Sequence, residues 1–235
     1  MTSQRLIDYC NELETLAELV TGQAVSVVLA SELGLTVFSN CGGFYASDLS
    51  GIIREKLPER YRGHLPCIVI NDAALSDAFD FYDRMQCNAV TAHECSHVSE
   101  LWTPGLPVFE PEDNAKLMTV IQSEILLEPR LWAGHKAKPW AGHEAKFLRA
   151  LAHVRHRLAK ERVTVDPELA FPETYYGLRK SLLDYAGTLQ GELEDRKLEP
   201  IAQILASEPP KEFSRMWAED SGQSRRLILA ASAIE

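Results

Sequence analysis

Apolar positions along the chain switch between two periods, and each switch predicts a change of element. Between residues 4 and 21, Leu6, Ile7, Cys10, Leu13, Leu16, Leu19 and Val20 recur at three- and four-residue steps. That spacing predicts an amphipathic helix, which Gly22 ends. Residues 24–30 (AVSVVLA) and 34–38 (GLTVF) are β-branched and apolar, and predict strands. Gly42 and Gly43 mark a turn ahead of a short strand at 44–46, and 64–71 (HLPCIVIN) predicts another, buried on at least one side. Residues 49–57 fit neither period, and Pro58 ends them.

From residue 76 the helical period returns. Phe79, Tyr82, Met85, Ala89, Ala92 and Ser96 predict a helix running to about residue 100. Residues 103–111 hold three prolines and a glycine and predict a loop, followed by a helix at 113–128. The phrases WAGHKAK (132–138) and WAGHEAK (140–146) are a local echo rather than a structural repeat. A strong helix is predicted at 143–161. Beyond Pro167 the chain reads as mostly helical, including 176–194, with prolines interrupting at 172, 200, 209 and 210. A small early sheet, one central helix and many later helices predict an α+β fold. The expected organisation is one domain over 1–165, with 166–235 as a helical extension packed on it.

Composition narrows the class. With 46% apolar and 25% charged residues in 235, the chain suits an ordinary globular protein with a buried core. A formal charge of −10 argues against nucleic acid as partner, since phosphate-binding surfaces concentrate Lys and Arg. The basic run at 146–162 (Lys146, Arg149, Arg155, His156, Arg157, Lys160, Arg162) reads as the solvated face of a helix. Five cysteines, odd in number and without a CxxC pair, argue against both a cysteine-only zinc ribbon and a disulfide framework. MTSQRLIDYCNELE lacks the basic start and apolar core of a signal peptide. The apolar run 24–38 is too short and too interrupted to span a bilayer. No membrane association is expected, and a reducing cytoplasm fits best.

The chemistry-bearing phrase is NAVTAHECSHVSE, residues 88–100. On a helix, residues four apart lie about 40° from each other around the axis. His93 and His97 therefore share a face and are close enough to share a metal ion. Glu94 is turned by about 100° from His93, so its carboxylate could reach a metal-bound water without displacing it. Zinc acidifies such a water, and a carboxylate accepts its proton as it attacks a carbonyl. HExxH would arise by chance in roughly one chain of fifty with this His and Glu content.

A catalytic zinc needs a third protein ligand. His143, in PWAGHEAKFLRALAHVRHR, stands at the start of a helix that Phe147, Leu148, Leu151 and Val154 would pack into the core. Glu124, Glu128 and His135 are the alternatives. Glu100 shares the face of His93 and His97 and could orient a ring. Cys95 points away from the ligand face and suits the core. His153 and His156 suit packing or surface roles. Tyr175 and Tyr176 could offer a hydroxyl to an oxyanion, although no spacing selects them.

HExxH on a helix resembles the zincin superfamily of metallopeptidases. The later phrase HxxxF, His143 with Phe147, is similar to the third-ligand phrase HGxxF of the SprT-like and WLM groups. Glu144 stands where those groups have glycine, and the interval from His97 to His143 is longer than theirs. The likeness covers about thirty residues. It implies a zincin-like fold, Zn2+ held by His93, His97 and His143, Glu94 as catalytic base, and a peptide or protein substrate that could align along a sheet edge. The competing expectation is a zincin-like scaffold that binds zinc without turnover. Cleavage specificity and oligomeric state leave no readable signal.

Overall fold

The structure is a computed structural model that describes residues 4–33, 42–46, 66–101, 143–172 and 177–232. The expected strand at 34–38, the loop at 103–111 and the helix at 113–128 lie outside the described residues, as does residue 176. What is described is α+β, dominated by helix, and no described helix is long and apolar enough to cross a membrane.

Helix α1 (Gln4–Thr21) forms where the first period predicts it. Leu6, Cys10, Leu13, Ala17 and Val20 are buried along one side, and Gly22 ends the helix at φ +76. Among the described residues the sheet has three strands in the order β1-β3-β2: β1 (Ser26–Leu29), β2 (Gly43–Ala46) and β3 (Cys67–Ile70). β3 pairs parallel with β1, from Ser26↔Cys67 to Leu29↔Ile70, and antiparallel with β2. All four residues of β1 and of β3 are buried, as expected of apolar runs without alternation. Among the described residues, the side of β1 away from β3 is met by side chains. Glu14 accepts the N–H of Val27 at 2.9 Å, and Glu32 accepts that of Leu29 at 2.9 Å. These carboxylates satisfy the two β1 N–H groups that turn away from β3.

Helix α2 (Phe81–Leu101) begins five residues later than its apolar period suggests. Asp80 caps it, accepting the N–H groups of Tyr82 and Asp83, while the Asp83 carboxylate reaches back to the N–H of Asp80 and to Ser76. This is a capping box built from two aspartates. Burial pushes the Asp83 carboxyl up, but the hydrogen bonds from Ser76 and Asp80 outweigh it and hold the pKa below the usual value. Phe79, at φ 45, makes the turn into the helix.

Helix α3 (Ala145–Lys160) lies against α2 and buries Phe147, Leu148, Leu151 and Val154. It ends on Arg162 in the left-handed region (φ 62), with Val163 N–H on the Leu158 carbonyl at 2.9 Å. The basic run along α3 departs from the sequence expectation. Lys146 and Lys160 are exposed, but Arg149 is only 2% exposed and Arg155 and Arg157 turn inward. Arg155 donates to the Val165 carbonyl, and Arg157 donates to the carbonyls of Val20, Arg196 and Glu199. These cations act as cross-braces rather than as a solvated face.

The C-terminal part is a chain of short helices: α4 (Pro167–Ala170), α5 (Leu182–Thr188), α6 (Gln190–Asp195) and α7 (Ile201–Leu205), then the longer α8 (Lys211–Ser232). The single helix expected at 176–194 is divided. Gly177 sits at φ 63, Ser181 and Asp184 start α5 with a capping box, and Leu189 leaves helical geometry before α6. Asp220 of α8 fixes this region by accepting the N–H groups of Arg179 and Lys180 and the Tyr185 hydroxyl. Phe171, Leu178, Leu182 and Tyr185 belong to the same apolar cluster as Leu6, Leu13, Ile68 and Leu151.

Candidate metal centre

α2 runs through the middle of the fold, and from residue 86 to residue 97 it is buried on almost every side. Only Gln86, Val90, His93 and His97 in that span are part-exposed. Their spacing of four, three and four residues makes one stripe along the helix. The two motif histidines thus occupy the single open seam of an enclosed helix. Cys95 is fully buried, as the sequence led us to expect, and burial and then the neighbouring Glu94 push its thiol pKa up.

The third histidine arrives from α3. His143 lies two residues before the helix, with Glu144 as the cap residue, so it precedes the first turn rather than belonging to it. Its Nε2 is 3.0 Å from His93 Nε2. Ring centroids are 5.1 Å apart for His93–His97 and 4.9 Å for both His93–His143 and His97–His143. One ring nitrogen from each lies within 4.8 Å of the other two. Tetrahedral zinc with Zn–N of about 2.0–2.1 Å sets its nitrogens roughly 3.3 Å apart, so small side-chain rotations bring this set onto an ion. The three nitrogens could hold a metal ion.

Phe147 backs all three imidazoles. Its buried ring lies 4.8 Å from His93, 4.6 Å from His97 and 4.6 Å from His143, and Phe171 stands 6.2 Å behind it. The spacing that puts Phe147 four residues after His143 is what lays its ring beneath them. Apolar backing also sets the protonation state. Burial lowers the His93 pKa to about 4, although the hydrogen bond from its Nδ1 opposes the shift. Burial, then the neighbouring His93 and His143, lower that of His97 well below the usual value. Neutral imidazoles keep a lone pair for a metal, so near neutral pH no proton competes for those two rings.

One contact came without warning from the sequence. His93 Nδ1 lies 2.8 Å from the carbonyl oxygen of Ala170, at the end of α4. A carbonyl can only accept, so His93 carries its proton on Nδ1 and turns the Nε2 lone pair towards His143 and His97. A backbone oxygen has no sequence signature, and Ala170 is anonymous in the chain.

Glu94 is 7% exposed on the same helix, about 100° round from His93 and about 60° from His97. The alternatives Glu124, Glu128 and His135 lie outside the described residues, as do Tyr175, Tyr176 and the side chain of Glu100. His153 is far along α3 in a separate network, bonded to Glu192, and His156 lies beside Glu194. Neither joins the cluster, and among the described residues His93, His97 and His143 are the one group suited to hold a metal. No protein-family model, no curated protein and no solved structure matches the chain.

Proposed function

We propose that this protein is a zinc-dependent peptidase with a zincin-like centre, in which His93, His97 and His143 hold the ion and Glu94 is the general base. The observation that carries the reading is the meeting of three imidazoles on the one open seam of a buried helix, beside a buried carboxylate. A site that used metal only for stability would need no general base beside it.

Zinc bound there would supply a water acidified towards neutrality and a Lewis acid for the scissile carbonyl. Glu94 would take the proton of that water and deliver it to the departing amine. Phe147 keeps bulk water from the far side of the imidazoles. The seam also suggests where a peptide lies. Val90, one turn before His93, packs against the start of β2, where a Cβ at Gly43 would stand 2.6 Å from Val90 Cγ1 and 2.4 Å from the Val69 carbonyl oxygen. Glycine is therefore what lets β2 approach α2. An extended substrate would lie along this seam, beside the β2 side of the sheet.

Glu94→Gln tests the assignment. The variant should bind zinc like the wild type yet cleave a mixture of denatured proteins about 10²–10⁴-fold more slowly. Unchanged turnover would remove Glu94 from the mechanism. Wild-type protein that binds zinc and cleaves nothing would favour the zincin-like scaffold without turnover.

A further inference from the structure

The segment that joins α3 to α4 is fixed to its surroundings at successive points, and the last of them is a candidate metal ligand. Asn88 of α2 donates from Nδ2 to the Thr164 carbonyl at 3.1 Å, and is itself held by the Tyr9 hydroxyl. Arg155 of α3 donates to the Val165 carbonyl at 3.1 Å. Asp166 then caps the α4 turn, accepting the N–H groups of Glu168 at 2.9 Å and Leu169 at 3.0 Å, with Pro167 preset at the first helical position. Four residues on, the Ala170 carbonyl meets His93 Nδ1. Phe171 follows at once and buries its ring behind Phe147.

We infer that this strap, residues 163–171, is a positioning device for the metal centre, and that Asp166 is its controlling side chain. The inference rests on the metal reading above. An imidazole presents one tautomer and one direction only if its other nitrogen is held, and a ligand histidine left unheld binds metal more weakly. Nothing on α2 holds His93 Nδ1; the hold comes from a turn 77 residues later in the chain. The four-residue α4 makes few hydrogen bonds of its own, so its geometry depends on the cap. Asp166 thus acts on His93 through the Ala170 carbonyl and touches neither metal nor substrate. Asn88 and His93, five residues apart on α2, grip opposite ends of the same strap, so the strap moves with the helix that carries the motif.

The test uses the full chain and zinc itself, measured by competition with a chromophoric chelator. Asp166→Ala should weaken zinc binding about 10–100-fold. Asp166→Asn, which caps a turn equally well, should restore affinity to within about threefold. Imidazole 15N–1H spectra supply a reading that mere loss of stability would not give. His93 in the wild type should show a slowly exchanging Nδ1–H, present again in Asp166→Asn and lost or fast-exchanging in Asp166→Ala. Equal zinc affinity in Asp166→Ala, or failure of Asp166→Asn to restore it, would overturn the positioning role while leaving the metal reading intact. A fast-exchanging Nδ1–H in the wild type would overturn it even if Asp166→Ala fails to fold. Wild-type protein that takes up no zinc would remove both readings.

Discussion

Two regions of this molecule bury histidine, and they solve the problem in opposite ways. On α3, His153 is fully buried with its Nε2 2.8 Å from Glu192, whose carboxylate is also gripped by Arg149 through two contacts of 2.8 Å. Arg149 further donates to the Ser207 carbonyl at 2.7 Å. Arg149 and the His153 Nε2 converge on the one carboxylate, although His153 Nδ1 is buried without a hydrogen-bond partner, and the group braces α3 against α6. At the head of α3, His143 instead meets two other imidazoles. Three imidazoles with ligand atoms within 4.8 Å of one another form a set that one cation could share. The first network is held by the protein's own charges. The second, on our proposal, is closed by an ion from outside. The lesson is that burial alone does not mark a site; what marks it is the convergence of several ligand-type nitrogens on one point.

Removing one member from each region should produce opposite phenotypes. His143→Ala should lower zinc affinity by well over the roughly 100-fold expected at most for a group that only orients a ligand. Without metal, it should change stability little. A variant that keeps wild-type zinc affinity would move the third ligand to Glu124, Glu128 or His135.

Glu192→Gln should do the reverse. Stripping the anion from a buried Arg–carboxylate pair costs about 3–5 kcal/mol, read by urea unfolding, with zinc affinity of the folded protein unchanged. The pH dependence sharpens this. The Glu192 carboxyl is pushed up by burial, but hydrogen bonds from His153 and Arg149 prevail and bring its pKa to about 2. A depressed carboxyl stabilises the fold above its unfolded pKa, so that contribution is lost as pH falls from about 4.5 towards 2. Glu192→Gln should lack this phase, and a variant that still shows it would assign the phase elsewhere. His153 is lowered by burial, so charging it as pH falls below about 6.5 also opposes folding.

The smallest effect lies at the end of α3, where Arg162 holds a left-handed conformation suited to glycine. Arg162→Gly should stabilise the metal-free protein by about 0.5–1 kcal/mol in thermal unfolding and leave zinc binding alone. A destabilised variant would mean that the Arg162 side chain matters more than its backbone.

How much of this was legible beforehand follows physical lines. The closeness of His93 and His97 was legible because a four-residue interval puts both on one face of a helix. His143 was readable through its place ahead of an apolar helix carrying Phe147. The direction of the basic run was not. Periodicity shows that Arg149, Arg155 and Arg157 lie on a helix, but not that carbonyls and Glu192 from later elements wait on their inner side. The start of α2 was misplaced because Phe79 continues the apolar period, whereas the Asp80–Asp83 box sets the boundary. The break at Leu189 has no strong local signal either, since leucine is an ordinary helix former. The Ala170 carbonyl was beyond reach: backbone groups carry no residue-type information, and only the folded path brings it to His93.

Zinc-edge X-ray absorption on the purified wild-type chain tests the central claim most directly. The account predicts one zinc per chain with three nitrogen neighbours and one oxygen at about 2.0–2.1 Å. His143→Ala should remove one of those nitrogens. A chain that takes up no zinc, or a zinc shell without histidine nitrogen, would contradict it.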